Sequence, residues 1–119
     1  MKKSLIQVKT FKFSLNIIQL YKELLAQKEF VISKQLLRSG TSIGANVEEA
    51  LAGQTKKDFA HKMSISSKEA RETRYWLKLL KESQIVSVDC SELLKDIDEI
   101  IRMLTSIVKT SQNNLKLNT

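Results

Sequence analysis

The sequence predicts an all-α protein: a single antiparallel, up-down-up-down four-helix bundle. Three observations carry that expectation. The 119-residue chain has no Pro and only three Gly, all between residues 40 and 53, a composition that suits a few long helices better than many hairpins. Apolar residues recur in alternating steps of three and four through four segments. The connections between those segments are short, which sets neighbouring helices antiparallel. With 42% hydrophobic and 28% charged residues, one domain over residues 1–119 can bury a core of its own.

The first helix is expected over about residues 7–27. It carries one seam of Phe11, Ser14, Ile18, Tyr21 and Leu25 and a second of Phe13, Ile17, Leu20 and Leu24. Two seams side by side give the broad apolar face of a bundle member. The second helix is expected over about residues 32–53, with Ser33 or a residue just before it as the start, and its seam is Ile32, Leu36, Ser39, Ile43, Val47 and Ala50. Gly40 and Gly44 each cost about 1 kcal/mol against Ala, so a break is conceivable. The seam keeps its phase on both sides, which favours one continuous helix with a flat face that another helix can approach closely.

The third helix, about residues 56–82, opens with the T-x-x-D cap of Thr55 and Asp58. Phe59, Met63, Ser66, Ala70, Thr73, Leu77 and Leu80 form its seam. Lys57, His61, Lys68, Arg71, Tyr75 and Lys78 form a basic stripe on nearly the opposite face, and a mixed row of Ile65, Glu69, Glu72, Trp76 and Leu79 lies between. A surface helix needs only one apolar stripe, so this helix is expected to have more than one protein neighbour. The fourth helix, about residues 89–111, is capped by Ser87 or Ser91. Its seam is Leu94, Ile97, Ile101, Leu104 and Val108, flanked by Leu93, Ile100 and Ile107, and the tail from about residue 112 is expected to fray.

Several function classes are disfavoured. No apolar run is long enough to span a membrane. The basic N-terminus has interrupted apolar positions and no cleavage site, so a signal peptide is rejected and a cytoplasmic location expected. The single cysteine, Cys90, permits no intrachain disulfide or cysteine cluster and reads as a small packing residue. His61 stands among Lys57 and Lys62, poor surroundings for a metal ligand or a catalytic base. Glu48, Glu49, Glu69 and Glu72 lack the Glu-x-x-His spacing of a bundle metal centre. Neither cofactor nor metal is expected, and with no nucleophile elbow or phosphate loop present an enzyme is not expected either.

What remains is charge and packing. Arg38, on a polar line with Ser42, Asn46 and Glu49, is expected to pair with Glu69 or Glu72, the alternative being a solvated face. The net charge of +7 permits contact with nucleic acid. Lys57, Lys68, Arg71, Arg74 and Lys78 are its candidate phosphate ligands, and Tyr75 could stack a base or pack beside the seam.

The segments FVISKQLLRSGTSIGANVEEA and DFAHKMSISSKEARETRYWLKLL closely resemble the four-helix-bundle family named for proteins encoded in 23S ribosomal RNA intervening sequences, and the likeness extends weakly through LTSIVKT. The resemblance implies a ring-shaped homopentamer. It also suggests kinship to the accessory protein of diversity-generating retroelements, a basic pentamer that binds nucleic acid and a reverse transcriptase. It implies no particular biochemical activity. One departure is the pair Ser66–Ser67, where the family commonly has Ile or Leu; serines there are expected to loosen the layer. A ring needs two different surfaces on each subunit, for which Trp76 in the mixed row and the Gly40/Gly44 face are the candidates. The expected function is therefore a non-enzymatic basic oligomer that binds RNA, DNA or a nucleoprotein partner nonspecifically. The alternative is a protein-interaction scaffold with no nucleic-acid role.

Overall fold

The computed structural model describes residues 3–117 and contains four helices and, among those residues, no strand: α1 (Leu5–Ala26), α2 (Ile32–Leu51), α3 (Lys56–Ser83) and α4 (Ser91–Leu117). Each helix packs on its neighbours in sequence, and α4 returns beside α1; the diagonal pairs α1/α3 and α2/α4 do not meet. In cross-section the four helices thus follow one another around the core. Gln7 meets Glu48, Glu49 meets Lys62 and Arg74 meets Asp98, each an early residue of one helix with a late residue of its neighbour, and between α1 and α4 Glu23 lies near Glu92 whereas the earlier Lys9 pairs with the later Glu99. All adjacent helices are therefore antiparallel, in a bundle of 51 × 28 × 21 Å. No described helix is long and apolar enough to cross a membrane.

The helix starts follow local chemistry. Ser4 accepts from the Gln7 amide at 3.3 Å and Thr55 from the Asp58 amide at 3.0 Å, both as N-caps. Ser33 is not the cap of α2. The helix begins at Ile32, and the largely buried Glu29 accepts from the amides of Val31, Ile32 and Ser33 at 3.2, 3.1 and 2.6 Å. A carboxylate reaching back from the connection satisfies three free donors at once; the Ser33 hydroxyl is buried with no hydrogen-bond partner among the described residues. At α4, Ser91 donates its amide and hydroxyl to Asp89 at 2.9 and 2.7 Å, so the carboxylate does the accepting. That contact holds the Asp89 carboxyl below its usual range. α4 continues to Leu117 rather than stopping near residue 111, because Ile107, Ser111 and Leu115 stay half-buried in helical phase. The last two residues of the tail lie outside the described part.

The core is one cluster drawn from all four helices. α2 and α3 bury the seams expected of them, apart from Ile32 and Phe59, which are half-buried. In α1 only one of the two seams is internal: Phe13, Ile17, Leu20 and Leu24, with Ile6 and Thr10, are buried, whereas Phe11 is 62% and Ile18 38% exposed. In α4 the buried line is Leu93, Ile97, Ile100 and Leu104, and Leu94, Ile101 and Val108 are half-buried at its edge. Ser66 does not loosen its layer. Its hydroxyl donates to the Ile43 carbonyl at 2.8 Å and ties α3 to α2 inside the core; two turns along, Thr73 Oγ1 lies 2.9 Å from Ser39 Oγ in a second buried contact between the same helices. A buried hydroxyl with a partner across the interface fixes helix register, which an Ile or Leu would not do.

α2 is continuous through both glycines. A Cβ at Gly40 would lie 2.9 Å from both branch carbons of Ile17, and one at Gly44 would lie 3.2 Å from the Thr10 carbonyl oxygen. Glycine here permits the close approach of α1. The small-residue face is thus packed closely against α1 within the subunit.

Candidate nucleic-acid interface

α3 is the longest helix, and its three faces have three environments. The seam Met63–Ser66–Ala70–Thr73–Leu77–Leu80 is buried. The row Ile65–Glu69–Glu72–Trp76–Leu79 is half-buried along the α2/α3 edge, and His61, Lys68, Arg71, Tyr75 and Lys78 stand exposed on the outer surface. A helix that buries one stripe between two neighbours must turn the opposite residues to water, and here those residues are cationic.

All five candidate phosphate ligands are exposed. Lys57, Lys68 and Lys78 have no ion-pair partner among the described residues, so their charges are uncompensated. Arg71 donates to Thr105 Oγ1 at 3.2 Å, and Arg74 pairs with Asp98 at 2.7 Å, so both guanidinium groups lean toward α4. There they border an open depression of about 270 Å³ with Ile101 and Arg102. Arg102 was not singled out in the sequence, since only the packing of α4 brings it beside Arg71 and Arg74. The row from Lys57 to Lys78 covers about 30 Å of helix. Lys57 lies far from the other four, which group between Lys68 and Lys78.

The opposite sign collects elsewhere. Glu23, Asp89, Glu92 and Asp96 surround a surface hollow between the end of α1 and the start of α4. The exposed cations of α3 and this carboxylate cluster at the α1/α4 end thus lie on different parts of the surface. On the α1/α4 edge, Lys9 pairs with Glu99 at 2.8 Å and holds that carboxyl below its usual range. Burial pushes the Cys90 thiol up, aided by Asp89 and Glu23, so it is a packed and unreactive side chain.

Arg38 reaches from α2 to both acidic residues of the mixed row, Glu69 at 3.2 Å and Glu72. Glu72 also accepts from the Trp76 indole at 3.1 Å. That indole hydrogen bond, followed by Arg38, holds the Glu72 carboxyl below its usual range, and its hydrogen bond to Glu72 raises the Arg38 pKa. Half of the Arg38 side chain is exposed, so the network orients Trp76 more than it stabilises the fold. Tyr75 meets the Trp76 ring edge-to-face, with centroids 5.3 Å apart at 71°, and lies on the outer surface at 58% exposure. Among the described residues no group of three or more His, Cys, Asp or Glu could hold a metal ion.

Comparison with known proteins adds kinship to this geometry. The family model for the 23S rRNA-intervening sequence protein matches residues 2–106. The fold is similar to the crystal structure of a protein of unknown function from the S23 ribosomal protein family of Bacteroides thetaiotaomicron VPI-5482. That protein is 46% identical, with a TM-score of 0.84, over 88% of this chain and 99% of that one. No curated protein matches the chain.

Proposed function

Because the chain belongs to the 23S rRNA-intervening sequence protein family, we propose that it is a self-associating basic module, without catalysis of its own, that holds nucleic-acid phosphates along α3. The observation carrying this reading is the exposed row of Lys68, Arg71 and Lys78, whose lysines are unpaired, beside the arginine-lined depression that adds Arg74 and Arg102. Phosphates need closely spaced cations and no exact base geometry, so such a row binds many sequences alike. Tyr75, exposed between Arg71 and Lys78, offers a ring on which an unpaired base can stack. In a homopentameric ring, the assembly the family resemblance implies, each subunit would repeat the row and weak contacts would multiply into avidity.

The test is fluorescence anisotropy with labelled structured RNA, duplex DNA and an RNA–DNA hybrid at low salt. Wild type is compared with the combined Lys68→Glu, Arg71→Glu and Lys78→Glu variant, whose assembly is checked by sedimentation. Binding by wild type and its loss in the variant is the expected result. Equal binding by both moves the site off α3. No binding by wild type on any probe leaves the interaction-scaffold alternative, which the exposed apolar side chains of α1 favour.

A further inference from the structure

Between α3 and α4 lies the open depression of about 270 Å³ bordered by Arg71, Arg74, Asp98, Ile101 and Arg102. It differs from the lysine row beside it in shape and in kind of cation. Lys68 and Lys78 stand exposed on α3 itself, one turn before Arg71 and one turn after Arg74, whereas the three arginines border a single hollow. We propose that this hollow takes a terminal phosphate, the phosphomonoester at the end of a nucleic-acid strand, in preference to the phosphodiesters within the strand. The proposal rests on the phosphate-holding reading above and names the group that the arginines select.

Three features point to a terminal phosphate as the occupant. The first is charge. Three guanidinium groups against the single carboxylate of Asp98 leave two positive charges around the hollow. Glu99, the next carboxylate along α4, is already paired with Lys9 at 2.8 Å. A phosphomonoester carries about −1.5 to −2 at pH 7 and cancels that excess, whereas a phosphodiester carries a single charge and leaves the remainder uncompensated. The second is donor number. A guanidinium presents five N–H donors in a fixed fork that suits phosphate oxygens. Arg74 uses Nε on Asp98 at 2.7 Å and Arg71 uses Nη2 on Thr105 at 3.2 Å, so most of each fork is free. Arg102 makes no hydrogen bond or ion pair among the described residues and acts on Glu99 only at a distance. A phosphomonoester offers three acceptor oxygens to these forks, one more than a diester. The third is orientation. Asp98 and Thr105 of α4 hold the two α3 arginines across the helix boundary, so part of the ordering that binding requires is present in the free protein. Donors set around a hollow meet a group that enters it, and a strand end can enter where a continuous backbone passes over. Ile101 lines the same hollow and gives the terminal sugar an apolar surface. Lys68 and Lys78 are left for the phosphates that follow.

The test is fluorescence anisotropy with one single-stranded RNA sequence, labelled internally and made with hydroxyls at both ends, with a 5′-phosphate or with a 3′-phosphate. The full chain is compared with Arg102→Gln and Lys78→Gln at one salt concentration; both positions are exposed, and circular dichroism and sedimentation check helicity and assembly. In wild type a terminal phosphate is expected to tighten binding about tenfold, the effect of one hydrogen bond between charged groups. The tighter of the two phosphorylated probes identifies the strand end that the hollow accepts. Arg102→Gln removes a cation and weakens every probe, so its readout is the ratio between phosphorylated and hydroxyl-ended RNA, expected to fall to about twofold. Lys78→Gln removes a cation outside the hollow and should weaken every probe while the ratio stays near that of wild type. Equal wild-type affinity for all three probes overturns the proposal and spares the reading it rests on. A ratio that falls alike in both variants also overturns it, since the preference would then be general electrostatics. No wild-type binding to any probe refutes the phosphate-holding reading itself, and so is distinguishable from both.

Discussion

Gly40→Ala tests whether α1 and α2 are held at the separation described. The new Cβ would stand 2.9 Å from Ile17 Cγ1 and Cγ2 and 3.3 Å from Ile17 Cβ. These atoms are the branch point of a fully buried, stiff side chain and cannot swing aside. Alanine gains about 1 kcal/mol in helix propensity, and overpacking a core costs typically about 1–3 kcal/mol. The steric effect wins, and a net loss of roughly 0–2 kcal/mol is expected, read as a lower urea midpoint at fixed protein concentration. Ile17→Ala alone should cost about 2–5 kcal/mol, but it removes both offending carbons. In that background Gly40→Ala should therefore become stabilising by up to about 1 kcal/mol. A raised midpoint for Gly40→Ala in wild type, or the same effect in both backgrounds, would refute the close-approach argument.

Two further outcomes can be checked in the same assay. Arg38→Ala should change stability at neutral pH by no more than about 1 kcal/mol, because the pair is half exposed. The Glu72 carboxyl is held below its unfolded value, so its contribution is present above the unfolded carboxylate range, near pH 4, and is lost as pH falls through the folded value. Glu72→Gln should accordingly flatten the acid limb of the urea-midpoint curve; an unchanged limb would mean the contact forms only weakly. Thr73→Val leaves Ser39 Oγ buried without its partner and should cost about 1–3 kcal/mol, whereas a midpoint equal to wild type would mean that the buried contact does not matter.

Helix number, order and most seams were legible because the three-four spacing is a local property of the chain. The Thr55 cap was legible for the same reason: donor and acceptor lie three residues apart. Glu29 was not, because a carboxylate outside the helix caps it only when the connection folds back. The two seams of α1 looked equivalent in sequence. Which one is internal depends on the approach of α2 through Gly40 and Gly44, a tertiary fact that leaves Phe11 and Ile18 outside. Ser66 read as a defect because its acceptor, the Ile43 carbonyl, belongs to another helix. The cation row of α3 could be read from spacing alone, whereas Arg102 joins it only through packing of α4.

The central claim is that the α3 cations hold phosphate, and its most direct measurement is the salt dependence of RNA affinity. Each phosphate contact contributes about −0.9 to the slope of log K against log salt on duplex DNA and about −0.7 on single strands. Wild type is expected to show a steep slope that varies little with probe sequence. The Lys68→Glu, Arg71→Glu and Lys78→Glu variant, assembled as wild type is, should show a much shallower one. A variant slope as steep as that of wild type would contradict the claim.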